Sequence, residues 1–168
     1  IGLGPTGFYF SLLHAVNHSL TKGGLFLTSG NILSLFKTKS IRQVTGLSKS
    51  HPAVGWLWLI GFLAISGTPL FGIFVSEFNL FGMAVLQNRL AVAVLFLFLL
   101  TVIFIAMAAS FLPMVQGAPQ QTGKEKLPAV LWLMPLLLFL LTGFLGVHIP
   151  AWLDRLIAVG ASELGGMR

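Results

Sequence analysis

The sequence predicts an all-α polytopic membrane protein, a transmembrane helical bundle of about four spans in which the second is a broken helix. Three observations predict this class. The chain is 56% hydrophobic and only 8% charged, whereas a soluble domain carries about 25% charged residues. Four apolar runs each reach the roughly 20 helical residues that cross a bilayer. The net charge of +6 resides mostly in short segments between these runs, which favours a membrane partner over a nucleic acid.

The first span, at about 7–36, is unusually polar. Its segment LLHAVNHSLTKGGLFL places His14, His18 and Lys22 at steps of four residues. On a helix these side chains form a nearly straight row roughly 12 Å long. An ionisable group facing lipid costs about 2.5–3.5 kcal/mol even on the lenient insertion scale. The row is therefore expected to face other helices or internal water.

Proton relay is the function that this row favours. A neutral imidazole accepts a proton at one nitrogen and donates from the other, and a desolvated lysine releases its proton near neutral pH. Two alternatives stay open. In one, His14 and His18 are hydrogen-bonded core residues and Lys22 reaches towards the membrane surface. In the other, the two histidines bind a metal, although the neighbouring sequence offers no carboxylate or thiol to complete such a site. We predict no metal site.

The second span, at about 53–86, is too long for one straight helix. Its segment LAISGTPLFGIFVSEF carries Pro69 between Gly67 and Gly72. This pattern predicts two half-helices joined by an unwound segment, which survives at membrane depth only inside protein or beside a water-filled cavity. A proline kink in a packing helix is the alternative.

Glu77 is the one acid within the four spans, and a carboxyl in an apolar site can exchange protons at physiological pH.

The remaining spans are predicted at about 89–115 and 127–150. They are followed by a tail, 151–168, whose pattern indicates a short interfacial helix. The segments 37–50 and 116–126 carry most of the lysines and arginines. The positive-inside rule therefore places both in the cytoplasm, with the C-terminus on the opposite side.

The motifs of the first two spans resemble the antiporter-like membrane subunits of respiratory complex I, multisubunit cation/proton antiporters and membrane-bound energy-converting hydrogenases. The row HAVNHSLTKGGLFLTSGNI with TKSIRQVTGL is most similar to the hydrogenase-4 component F branch. The complex I subunit of the M type resembles the chain at Glu77 but usually lacks a lysine at the place of Lys22. The L type resembles it at the row and carries lysine where Glu77 stands. Thr68-Pro69-Leu70 departs from the more usual Pro-Pro-Phe.

This resemblance implies the C-terminal part of a fourteen-helix subunit, which agrees with a chain that begins at Ile1 without a signal peptide. It also implies roles for the candidate residues. His14, His18 and Lys22 correspond to the central hydrophilic axis of the family, and Glu77 corresponds to the terminal site near proton exit.

The expected function is proton translocation by a multi-pass subunit of the cell inner membrane, within a redox-driven complex. The expected partners are the other membrane and hydrophilic redox subunits, the lipid bilayer, and protons or Na⁺. No cofactor is expected in this chain, because it has no cysteine and no dinucleotide-binding loop. Two alternatives remain, namely a subunit of a stand-alone multisubunit cation/proton antiporter and a structural membrane anchor.

Overall fold

A computed structural model of the chain describes residues 4–119 and 127–166, and these residues form seven α-helices and no strand. The helices are α1 (Gly4–Phe36), α2 (Leu47–Ser50), α3 (Pro52–Ile65), α4 (Gly72–Leu86), α5 (Leu90–Gln116), α6 (Ala129–Val147) and α7 (Ala151–Gly166). A 3₁₀ turn, Ile41–Gln43, lies between α1 and α2. The predicted all-α class is confirmed.

The long helix α1 is the centre of the bundle, because α3, α4, α6 and α7 all pack against it. α6 runs antiparallel to α1. Asn31, near the end of α1, contacts Leu131 at the start of α6, and Leu13 packs in one cluster with Leu145 near the end of α6.

The pair α3 and α4 also runs antiparallel to α1, as two segments of one interrupted rod. Gly61 of α3 lies against the side chain of Leu25. Further along, Ser76 of α4 contacts His14. The second predicted span therefore follows the polar stripe of the first along its length.

The interruption lies between Ile65, where α3 ends, and Gly72, where α4 begins. Pro69 supplies no backbone N–H to continue the helix. Gly67 (φ 68°) and Leu70 (φ 94°) both adopt positive φ, which no α-helix contains. The predicted discontinuity of the second span is therefore confirmed, and it is a change of backbone path rather than a kink.

The basic segment after α1 and the end of α5 meet at one end of the bundle. Thr45 donates a hydrogen bond to the carbonyl of Ala118 (2.6 Å), and Ser48 donates one to the carbonyl of Val115 (2.7 Å). The two segments assigned to the cytoplasm thus begin at the same end. Residues 120–126, which include most of the second basic segment, lie outside the described residues, and the side of the membrane remains a prediction.

Two of the described helices, α5 and α6, are long and apolar enough to cross a membrane. α3 and α4 are apolar but have only 14 and 15 residues, so only together do they reach the roughly 20 residues that a span needs. α1 has 33 residues and is more polar. Only 6% of the most apolar window of α5 is buried, so most of this apolar helix is exposed within the described part of the chain, although it packs on α2, α3 and α4.

The tail forms the helix α7, which packs along the first turns of α1. Its buried stripe comprises Leu153, Ile157 and Ala161. The hydroxyl of Tyr9 in α1 donates a hydrogen bond to the carboxylate of Asp154 (2.6 Å). Trp152 and Leu156 are exposed, so α7 presents apolar side chains on a second face. Its predicted position at the membrane interface stays a prediction, and residues 167–168 lie outside the described residues.

A hydrogen bond between α1 and α6 compensates for a proline. Pro135 lies inside α6, so the carbonyl of Leu131, four residues earlier, has no helical N–H to accept. The buried Asn31 supplies the missing donor, with its Nδ2 2.7 Å from the oxygen of Leu131. The two residues thus act as a pair, although they lie on different helices.

We expect Asn31→Leu to destabilise the protein by about 1–3 kcal/mol, the usual cost of leaving a buried polar group without a partner. Adding Pro135→Ala should recover much of that loss, because an alanine at 135 restores the N–H that Leu131 accepts. The measurement is the thermal midpoint of the purified protein in detergent for both single variants and the double variant. Asn79→Leu is the matched control, since Asn79 bonds a carbonyl of its own helix. Additive effects of the two substitutions would show that the residues are not coupled.

Candidate functional site

A cavity of about 810 Å³ opens between α1, α3, α4 and α5. All four side chains singled out from the sequence line it, namely His14, His18, Lys22 and Glu77. Much of the remaining wall is aromatic and includes Trp58, Phe96, Phe104 and Phe111. The structure thus brings two separate sequence motifs to one space, and the roles of these residues remain predictions.

The two histidines form one unit on α1. Their rings stack with centroids 5.5 Å apart and an angle of 29° between the ring planes. Nδ1 of His14 lies 3.0 Å from the hydroxyl of Ser76 in α4. His14 therefore links the row to α4 through Ser76, the residue that precedes Glu77 in the sequence.

Lys22 occupies the other end of the row. Its Nζ lies 5.9 Å from the centre of the Phe26 ring, within cation–π range. The described helices bury the row and Glu77 only in part. His14, His18 and Glu77 are half-buried, but Lys22 is exposed in the open cavity that it lines.

Glu77 lies against the interruption between α3 and α4. A side chain at Gly67 would collide with its carboxylate, so the glycine makes room for the acid as well as for the turn. Glu77 also lines a smaller cavity of about 180 Å³ on the side of Gly67 and Phe78. Its carboxyl thus stands between two spaces, one of which contains the histidine row.

Gly72, the first residue of α4, has a comparable role towards α1. A side chain there would collide with Asn17, which is fully buried and donates from Nδ2 to the carbonyl of Leu13 (3.1 Å). The two glycines predicted to flank the break therefore admit two polar side chains, Asn17 on one side and Glu77 on the other.

Sequence reasoning missed the closest contact of the site, which is the one between His14 and Ser76. Ser76 is fully buried in an otherwise apolar segment beside Glu77, and that position was a usable signal. Its partner on α1 could not be deduced, because the rotation of two helices about their axes is set by packing.

The described residues contain no group of three or more histidine, cysteine, aspartate or glutamate side chains arranged to hold a metal ion. His14 and His18 share the cavity with one carboxyl, that of Glu77. The arrangement is one of separated titratable side chains around an open space.

The sequence matches the family model described as NADH:quinone oxidoreductase/Mrp antiporter, TM, over residues 1–106. A hydrogenase-4 component F homolog from Methylacidiphilum infernorum is 35% identical over 148 residues, which is 88% of this chain and 30% of that protein. A Na⁺/H⁺ antiporter subunit from Bacillus subtilis is 24% identical over 80% of this chain and 29% of its own length. The chain thus spans about a third of the length of these relatives.

A solved structure, the Mrp complex from Dietzia sp. DQ12-45-1b, contains a chain with the same fold. The TM-score is 0.80 at 19% sequence identity, and the match covers 96% of this chain and 38% of that one. This similarity supports the arrangement of helices.

We expect Gly67→Ala to destabilise the protein by about 1–2 kcal/mol, the cost of a left-handed backbone for a residue with a Cβ, and to displace the carboxyl of Glu77. Gly82→Ala in α4 is the matched control, because a side chain there meets no neighbouring atom. The thermal midpoint in detergent measures the combined cost of the backbone strain and of the collision with Glu77. Combining Gly67→Ala with Glu77→Ala separates them, since the double variant keeps the backbone strain and loses the collision. If the double variant shows no coupling, Gly67 does not serve the carboxyl.

Proposed function

Because the chain belongs to the NADH:quinone oxidoreductase/Mrp antiporter transmembrane family, we propose that it is a proton-translocating membrane subunit of a redox-driven complex. The complex is of the energy-converting hydrogenase or NADH–quinone oxidoreductase type. The higher identity to the hydrogenase-4 component F homolog, 35% against 24% for the antiporter protein, favours the hydrogenase branch. The cell inner membrane is the proposed location.

One observation carries the proposal, namely that the row on α1 and the acid on α4 share one cavity. Lys22, His18 and His14 follow one another along α1 at helical steps of four, and Glu77 follows Ser76, the residue of α4 that contacts His14. Water in a cavity of about 810 Å³ would complete the path between groups that do not touch. A proton would pass between this row and Glu77, whose carboxylate lies against Gly67 at the interruption.

The chain supplies the proton path and not the electron path. It contains no cysteine with which to hold an iron–sulfur cluster. We propose that the redox chemistry belongs to other subunits of the same complex, and that these subunits, together with lipid, are the partners of this chain.

The second candidate function is a subunit of a stand-alone multisubunit cation/proton antiporter. The shared fold with a chain of the Mrp complex favours it. The two functions differ in their driving force. If the protein is an antiporter component, a Na⁺ gradient applied to vesicles that contain it moves protons without an electron donor. Proton movement that requires electron transfer supports the redox-driven complex.

We expect Lys22→Met to abolish most proton translocation while the protein still assembles, because methionine keeps the length of the side chain and removes the proton-exchanging group. Lys22→Arg should also translocate poorly, since arginine does not deprotonate in proteins. The measurement is proton uptake per electron in inverted membrane vesicles at matched expression. Lys49→Met is the control, because Lys49 is exposed in the basic segment away from the cavity. A wild-type rate in Lys22→Met would mean that the lysine serves only structure, as the anchor alternative holds.

We expect Glu77→Gln to assemble normally and to lower proton uptake per electron severely. Glutamine has nearly the shape of the protonated acid, so a structural acid tolerates the change and a proton-exchanging acid does not. Glu77→Asp should be intermediate, because it keeps the acid and withdraws it by one methylene. Glu163→Gln, at an exposed position of α7, is the control. Unchanged stoichiometry in Glu77→Gln would remove this residue from the path.

A further inference from the structure

Ser76 occupies the contact between the histidine row and the helix that carries Glu77. It is fully buried in α4. Its hydroxyl oxygen lies 3.0 Å from Nδ1 of His14 and 2.8 Å from the carbonyl oxygen of Ile73. A third neighbour, the carbonyl oxygen of Gly72, is 3.4 Å away. One hydroxyl therefore has several neighbours that could take its proton.

A serine hydroxyl has one proton to donate and two lone pairs to accept with. A carbonyl only accepts, so any bond between Ser76 and Ile73 uses the hydroxyl proton. The observed lengths fit that assignment, because 2.8 Å is the common length for an O–H···O bond and 3.0 Å for an N–H···O bond. With its proton on the carbonyl of Ile73, Ser76 can only accept from His14.

We propose that Ser76 is a positioning residue that holds His14 with its hydrogen on Nδ1 and leaves Nε2 as the nitrogen that takes up a proton from the cavity. The bond made by one ring nitrogen decides which form a neutral histidine adopts. The same bond fixes the rotation of the ring, and the ring lines the cavity. For its consequence in transport, this inference rests on the proposed function.

Two features make the contact rigid enough for this role. Asn17, one turn along α1 from His14, packs on Gly72, one turn before Ser76. α1 and α4 are thus in contact at two levels, Asn17 with Gly72 and His14 with Ser76. In addition, the ring of His18 stacks on that of His14, which limits rotation of the imidazole from its other side.

The test is ¹⁵N solid-state NMR of the histidine-labelled protein, purified and reconstituted in lipid bilayers, with His51→Gln and His148→Gln to remove the other two histidines of residues 1–168. His14→Gln assigns the signals. We expect neutral His14 to be protonated at Nδ1 in the otherwise unaltered protein. Protonation at Nε2 instead would overturn the proposal without any further variant.

Ser76→Ala removes the acceptor and should shift His14 towards the form protonated at Nε2. It should also lower proton uptake per electron about tenfold, since misplacing a reacting group by about 1 Å can cost up to about a hundredfold. Ser76→Thr retains a hydroxyl and should restore both the spectrum and most of the rate. Ser110→Ala is the matched control, because Ser110 also bonds a carbonyl of its own helix but does not contact the row. A spectrum of Ser76→Ala equal to that of the control would refute the role of Ser76.

The two readouts separate this inference from the proposed function. If Ser76→Ala changes the ring form while His14→Gln translocates normally, the positioning stands and the histidine is not part of the path. If His14→Gln stops translocation while Ser76→Ala alters neither the spectrum nor the rate, the path stands and the positioning is wrong.

Discussion

The structure depends on one constraint, which is that polar groups within hydrocarbon must find their partners inside the protein. Within the described helices most hydroxyl groups meet it by donating to a carbonyl of their own helix, as those of Ser11, Thr21, Thr28, Thr101 and Thr142 do. Charged and amide groups need more than that. The helix that carries two histidines, a lysine and two asparagines, α1, is the one on which four other helices pack.

The prolines show how the same constraint separates a break from a mere irregularity. Pro113 and Pro135 both lie inside helices that continue past them. At Pro135 the carbonyl that loses its helical partner receives a hydrogen bond from Asn31, so the helix survives. Pro69 instead lies between two residues of positive φ, Gly67 and Leu70, and there the chain leaves the helix altogether. In this chain proline alone therefore does not mark the interruption of a helix, whereas proline with a nearby left-handed glycine does.

The sequence was sufficient for the features that lie within one helix. The spacing of His14, His18 and Lys22 follows from the helical repeat, and the break follows from Gly67, Pro69 and Gly72. Contacts between side chains of two different helices could not be predicted from the sequence. The contact of Ser76 with His14 and that of Asn31 with Leu131 depend on how far each helix is rotated and shifted. Apolar packing over the whole length of the bundle decides that, and no short motif encodes it. The exposure of Lys22 was missed for the same reason, because it depends on which faces of α1 receive a neighbour.

The two ends of the row differ in a way that bears on its function. Lys22 is exposed, and its Nζ lies over the ring of Phe26. Packing therefore does not fix the side chain at this end of the row. His14 is held by the fully buried Ser76. The first turns of α4 carry both this serine and Gly72, and each contacts α1. A rotation of α4 about residues 66–71 would therefore separate His14 from Ser76 and Gly72 from Asn17 together, and it would carry Glu77 away from Gly67. The interruption, the histidine and the acid are thus linked through the first turns of α4, which contact α1 at Asn17 and His14.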